Sequence, residues 1–112
     1  MPQTVTREQV EAKLSSGNVV LVEALPPANF HEGHLPGALN LPHDQVDELA
    51  PQLIPDKNAE VIVYCANGPC ANSGIAARRL EQLGYQHVHD YALGKADWIE
   101  AGHALEQSRR SA

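Results

Sequence analysis

The chain is poor in several things. It has two cysteines in 112 residues, one Trp, one Phe and one Met. Two cysteines cannot form the disulfide framework of a small secreted domain. Eight Lys and Arg stand against 14 Asp and Glu, the formal charge is −6, and no long basic run occurs. That argues against nucleic acid or an anionic membrane as a standing partner. No apolar stretch approaches the ~20 residues of a membrane span. The opening residues MPQTVTREQV lack the charged-then-apolar pattern of a signal peptide. The expected location is therefore cytoplasmic, where thiols stay reduced.

What is present is an ordinary globular mixture, 43% hydrophobic and 20% charged. The length suits one domain over residues 1–112, with a core of about 4–106 and a polar, frayed tail at 107–112. Thr6 and Gln9 form a capping box, with Val5 and Val10 as a hydrophobic staple and Gly17 as the stop. Residues 19–22 are a short apolar run suited to a strand covered on both faces. Pro26 and Pro27 end it, and Pro27 opens a short helix carrying Phe30. Residues 38–41 read as a brief strand. Val46, Leu49, Ala50 and Leu53 follow helical spacing, which Pro51 should cut short. Residues 61–64 are the clearest strand. Ile75, Ala76, Leu80 and Leu83 make a helical stripe closed by Gly84; a last strand follows at 87–90 and a last helix at 96–101. Strands alternating with helices predict an α/β domain with a parallel sheet, whose ligands bind beyond the carboxyl ends of the strands.

Cys65 lies at such an end, in VIVYCANGPCANS. With Cys70 it leaves three readings: a metal pair, a redox pair, or a nucleophile with a neighbour. The segment must turn from a strand into a helix, and Asn67 and Gly68 tolerate the conformations this needs. Such a turn can aim the amides of Ala66, Asn67, Gly68, Cys70, Ala71 and Asn72 at one point, with Pro69 among them contributing none. The helix start, capped by Asn72 or Ser73, adds positive potential that holds Cys65 as a thiolate. Ser73 also offers a hydroxyl. An activated thiolate attacks sulfur, phosphorus or carbonyl centres.

Three stretches together resemble the rhodanese-like, single-domain sulfurtransferase family over about residues 4–106. They are Glu32-Gly33-His34-Leu35-Pro36-Gly37-Ala38 running on to Pro42; Val63-Tyr64-Cys65 with Ala76-Ala77 and Leu83-Gly84-Tyr85; and Tyr91-Ala92-Leu93-Gly94 with Asp97-Trp98 and Ala101-Gly102. The resemblance implies a three-layer α/β fold, a five-stranded, mostly parallel sheet flanked by helices. It implies that Cys65 takes sulfane sulfur as a persulfide from a small donor, a persulfide or thiosulfate, and passes it to a thiol or cyanide. A protein donor or acceptor is a further possibility of the family, and no dissociable cofactor is implied. The loop residues 66–73 would bind the transferred group.

The sequence departs from the family pattern where Arg-Ser or Arg-Thr commonly follows the cysteine by five and six positions. Here those positions are Cys70 and Ala71. The family's Asp-x-Arg after the second strand reads Glu23-Ala24-Leu25. Arg78 and Arg79 are the nearest cations in sequence, one to two turns into the helix. Thiosulfate, a dianion, is therefore a doubtful donor. A Cys-based phosphatase needs an arginine at the position of Ala71 to clamp phosphoryl oxygens, which argues against that chemistry.

Cys-x4-Cys without a second ligand pair departs from zinc-ligand spacing, so no metal is expected despite six histidines. His34 is expected to brace a turn, and Asp44, Asp47 and Glu48 to form a solvated helix face. Two other functions fit the same residues: a Cys65/Cys70 redox switch, which needs both thiols, and a catalytically inactive binding or regulatory module, which needs neither. In the resting protein both thiols are expected to be free, with Cys70 on the rim and its sulfur turned from Cys65.

Overall fold

The computed structural model describes residues 2–68 and 70–107. Five strands form one sheet in the order β1-β5-β4-β2-β3. They are β1 (Gln3–Thr4), β2 (Val19–Glu23), β3 (Leu39–Asn40), β4 (Glu60–Tyr64) and β5 (His87–Tyr91). All four ladders are parallel. The helices are α1 (Arg7–Ser16), α2 (Pro27–Glu32), α3 (Val46–Leu53), α4 (Asn72–Gln82) and α5 (Gly94–Glu100).

Residues alternate across a strand, and here both faces are covered. Val61 and Val63 of β4 join Val22 and Val88 against Val46, Ala50, Ala76, Ala77 and Leu80 of α3 and α4. Ile62 and Tyr64 point the other way, into a cluster with Leu21, Tyr91, Val10 of α1 and Trp98 of α5. Two apolar layers around a central sheet explain why β4 has no polar position after Glu60.

Helix α1 carries the capping box at Thr6 and Gln9 and ends on Gly17 at φ 77°. Val5 and Val10 enter the same cluster. Several helical details differ from the sequence reading. Helix α3 continues through Pro51 to Leu53. The missing bond would have gone to the carbonyl of Asp47, and both residues are exposed, so water can serve that carbonyl. Ile75 is 41% exposed and outside the core, where Ala77 takes its place. Helix α5 begins at Gly94, two residues early.

Glu23, at the end of β2, is fully buried. Tyr64 Oη donates to Glu23 Oε1 at 2.7 Å and accepts from Leu35 N at 2.9 Å. Lys95 Nζ stands 3.0 Å from Glu23 Oε2 and donates to Asn29 O at 3.1 Å. The network joins β2, β4, α2 and α5 under the carboxyl end of the sheet. Burial raises the pKa of Glu23, while Tyr64 and Lys95 oppose the rise. Burial and the Glu23 charge raise that of Tyr64, which stays a proton donor.

A raised carboxyl pKa means that the folded state binds the proton more tightly. The associated stability is full below the ordinary glutamate value of 4.5 and is lost as pH climbs through the elevated folded value. Lys95→Met removes the opposing cation, so the folded pKa rises further. The variant should lose about 3–5 kcal/mol in urea unfolding at mildly alkaline pH, the usual cost of breaking a buried pair. The loss should shrink on acidification, and Glu23→Gln in the same chain should recover most of it. A loss independent of pH would show that Glu23 is not the group exposed by the substitution.

Candidate active site

Cys65 follows the last residue of the central strand, with β2 and β5 on either side through the pairs Tyr64–Glu23 and Tyr64–Tyr91. Its backbone is held from beneath by the start of α5. Lys95 N donates to Cys65 O at 3.0 Å and Ala96 N to Ala66 O at 2.9 Å. Gly94 has φ 62°. A methyl group there would lie 2.9 Å from the carbonyl carbon of Cys65 and closer still to its oxygen. The strand end and the helix start approach so closely that only glycine fits.

Beyond Cys65 the chain turns. Cys70 N donates to Asn67 O at 3.1 Å, closing a turn that returns Cys70 toward the strand end. Pro69 lies outside the described residues. Helix α4 then begins at Asn72, and its cap is Ala71, which has no side-chain capping bond. This corrects the expectation of an Asn72 or Ser73 cap. Without a side-chain acceptor, first-turn amides of a helix remain available to an anion. Ser73 is buried in that turn, and among the described residues no hydrogen bond joins its hydroxyl to Cys65.

The expectation of two free, divergent thiols is overturned. Cys65 and Cys70 form a disulfide with Cα atoms 6.5 Å apart. That separation falls inside the usual range for such bridges, and the Asn67–Cys70 turn is the local cause. Cys65 is buried and Cys70 half-buried. The carbonyl oxygen of Cys70 lies 3.5 Å from Cys65 Sγ. An acceptor, rather than an amide donor, therefore faces the sulfur in this state, and the Cys70 amide is already engaged. In the bridged loop the Cys70 amide, at least, is turned to Asn67 and not to Cys65.

The cations are distributed differently from their order in sequence. Arg79 is paired with Asp47 of α3, through Nε at 2.6 Å, so Asp47 is not merely solvated. Lys95, unremarked in the sequence, is the basic residue bonded by its backbone to Cys65. It lines an open pocket of about 390 Å³ with Leu25, Asn29, Glu32, Ala66 and Ile99. The signal for both Gly94 and Lys95 was positional: they open the helix after the strand adjoining β4.

His34 and His89 serve structure. His34 Nδ1 lies 2.8 Å from Phe30 O and its ring stacks on Phe30 at 3.9 Å, bracing the turn as expected. His89 meets Glu60 Oε2 at 3.0 Å, a carboxylate shared with Lys13. Among the described residues no group of three or more His, Cys, Asp or Glu could hold a metal ion. Among the same residues no helix is long and apolar enough to cross a membrane.

Gly94→Ala should destabilise the fold by more than the about 1–2 kcal/mol of a left-handed alanine, because Cys65 must also be displaced. Gly84→Ala is the control: its φ is 101°, yet an added methyl meets nothing within 4 Å. Urea unfolding of the two variants should separate strain from collision, with Gly94→Ala the worse. Equal losses would mean that the Gly94–Cys65 approach is not a constraint.

Comparison with known proteins agrees with this architecture. The thiosulfate sulfurtransferase PspE of Escherichia coli is 36% identical over 69 residues, covering 62% of this chain and 64% of that protein. The HTH-type transcriptional regulator Rv0324 of Mycobacterium tuberculosis is 26% identical over 103 residues, covering 92% of this chain and 44% of that protein. The chain thus spans less than two thirds of the length of these curated relatives. A solved structure of an E. coli rhodanese with anions superposes with a TM-score of 0.67 at 31% identity, covering 80% of this chain and 99% of that one. A family model for the rhodanese-like domain matches residues 6–101. With that match running from the cap of α1 to the cap of α5, the chain belongs to the rhodanese-like domain family.

Proposed function

We propose that the protein is a sulfurtransferase that carries sulfane sulfur as a persulfide on Cys65. The observation that carries this reading is the position of Cys65: it directly follows the central strand and precedes a helix whose first turn has no side-chain cap. The named activity of PspE supports the same reading. In the reduced state the Cys65 thiolate attacks the outer sulfur of a donor. With a persulfide donor, one S–S bond forms, one breaks, and the donor's thiolate leaves. An acceptor thiol or cyanide then takes the outer sulfur and returns Cys65 as thiolate. The amides of residues 66–68 and 70–72 and the hydroxyl of Ser73 are proposed to hold the anion once the loop is reduced. The pocket beside Ala66 suits the organic portion of a donor or acceptor thiol.

A second reading, a Cys65/Cys70 redox switch, is favoured by one observation, the bridge itself. A bridged Cys65 has no thiolate with which to take up sulfur, so switch and carrier are two states of one site.

Intact-mass analysis of reduced protein after brief exposure to glutathione persulfide tests the main reading. Cys70→Ser should take up sulfur, wild type should take it up at least transiently, and Cys65→Ser should take up none. Uptake by Cys65→Ser would remove Cys65 from the role.

Donor charge gives a further test. Lys95 is committed to Glu23, and the loop position that commonly carries arginine in the family is Cys70. Thiosulfate should therefore be a poorer donor than an organic persulfide. Cys70→Arg should raise thiosulfate kcat/KM by roughly tenfold or more over Cys70→Ser, since a hydrogen bond to a charged group contributes about 1.5–3 kcal/mol. The serine reference separates the added charge from the lost thiol. No gain over serine would show that the loop does not present its fifth position to the donor.

A further inference from the structure

The bridge has a use beyond switching. We propose that Cys70 discharges the Cys65 persulfide within the molecule and releases the carried sulfur as sulfide. The protein would then act as a sulfane-sulfur reductase when no acceptor thiol is at hand. This rests on the sulfur-carrying reading of Cys65.

The chemistry balances without an external oxidant. The Cys70 thiolate attacks Sγ of the Cys65 persulfide, the inner sulfur. The Cys65–Cys70 S–S bond forms, the bond to the outer sulfur breaks, and hydrosulfide leaves with the electron pair and the persulfide proton. The two cysteines supply two electrons and are oxidised to the disulfide; the sulfane sulfur is reduced to sulfide. A small or protein dithiol then reduces the bridge and returns both thiols, being itself oxidised to a disulfide. The net reaction is sulfane sulfur plus dithiol giving sulfide plus disulfide.

Three observations carry the proposal. First, the fold brings Cys70 Sγ to Cys65 Sγ, the atom that this attack requires, with Cα atoms at a separation that bridges accept. Second, the Cys70 amide is held by Asn67 O. That bond keeps the second thiol on the return limb of a tight turn. Third, the Cys70 carbonyl oxygen faces Cys65 Sγ at 3.5 Å. A carbonyl disfavours a thiolate at the Sγ beside it, so it disfavours Cys65 as the leaving group and favours attack at the inner sulfur with hydrosulfide leaving. Cys70 also precedes the first residue of α4 by two positions, where the helix favours its ionisation. A nucleophilic thiolate opposite a neutral persulfide is the pairing that thiol–disulfide exchange needs.

The test uses the reduced full chain under anaerobic conditions with one equivalent of glutathione persulfide and no other acceptor. Free sulfide is measured from mixing onward, and intact mass is followed in parallel. Wild type should release close to one sulfide per protein and finish as the intramolecular disulfide, without added sulfur. Cys70→Ser and Cys70→Ala should load sulfur and keep it. Their persulfides should live roughly tenfold longer or more, because a tethered thiol acts at millimolar or higher effective concentration. Adding a dithiol should make sulfide release by wild type catalytic. If wild type keeps its persulfide as long as Cys70→Ser, the discharge step is wrong while sulfur carriage stands. If the bridge appears only with peroxide or air, Cys70 serves a redox switch and the inference falls. If neither wild type nor the Cys70 variants load sulfur, the carrier reading falls and takes the inference with it.

Discussion

The backbone of Cys65 is tied down from below, and the site is built on that tie. Two successive carbonyls, those of Cys65 and Ala66, accept the amides of Lys95 and Ala96. Gly94 permits the approach because it has no side chain to collide with the Cys65 carbonyl. The central strand, which both apolar layers hold in place, is thereby locked to the start of α5. A thiol at a strand end would otherwise ride on a loop. Here its backbone is hydrogen-bonded to the start of α5 as well as following directly from the sheet.

The buried carboxylate next to this tie has a related effect. Glu23 accepts from Tyr64 and pairs with Lys95, and the backbone of Lys95 holds Cys65. One lysine thus joins the second strand to the end of the central strand. Its charge is spent largely on Glu23, at 3.0 Å, rather than presented to an incoming dianion. A buried ion pair is weak evidence for net stability. Its clearer consequence is geometric, because four elements must be in register before both charges are paired. The same commitment explains why a basic residue so near the candidate nucleophile need not make the site a strong thiosulfate binder.

The strands that lie in the middle of the sheet were legible because burial on both faces leaves continuous apolar runs, as in Val19 to Val22 and Val61 to Tyr64. Strand β1 was not, since Gln3 and Thr4 are exposed edge residues held to His89 and Asp90 by backbone pairing alone. Pro51 misled for a physical reason: the bond it deletes belongs to an exposed carbonyl, where water substitutes. Cys65 was legible because a strand-end position is a property of local order. Lys95 was not, because its closeness to Cys65 depends on the order of β4 and β5 in the sheet. Nor was the direction of the Cys70 sulfur legible. Spacing alone allowed either a diverging or a converging pair, and the Asn67–Cys70 turn decided it.

That turn also defines what the loop cannot do at one time. To stabilise an anion on Cys65, the loop must turn amides toward the sulfur. In the bridged state it turns a carbonyl there, and the Cys70 amide is bonded to Asn67. The two arrangements use the same few residues and exclude each other. On the proposed chemistry this exclusion is productive. An amide-lined loop favours the persulfide anion, which is stable and ready for transfer. A carbonyl facing Sγ disfavours Cys65 as a leaving thiolate, so that when Cys70 attacks, the outer sulfur departs as hydrosulfide. The fate of the sulfur then depends on which face of one short turn meets it.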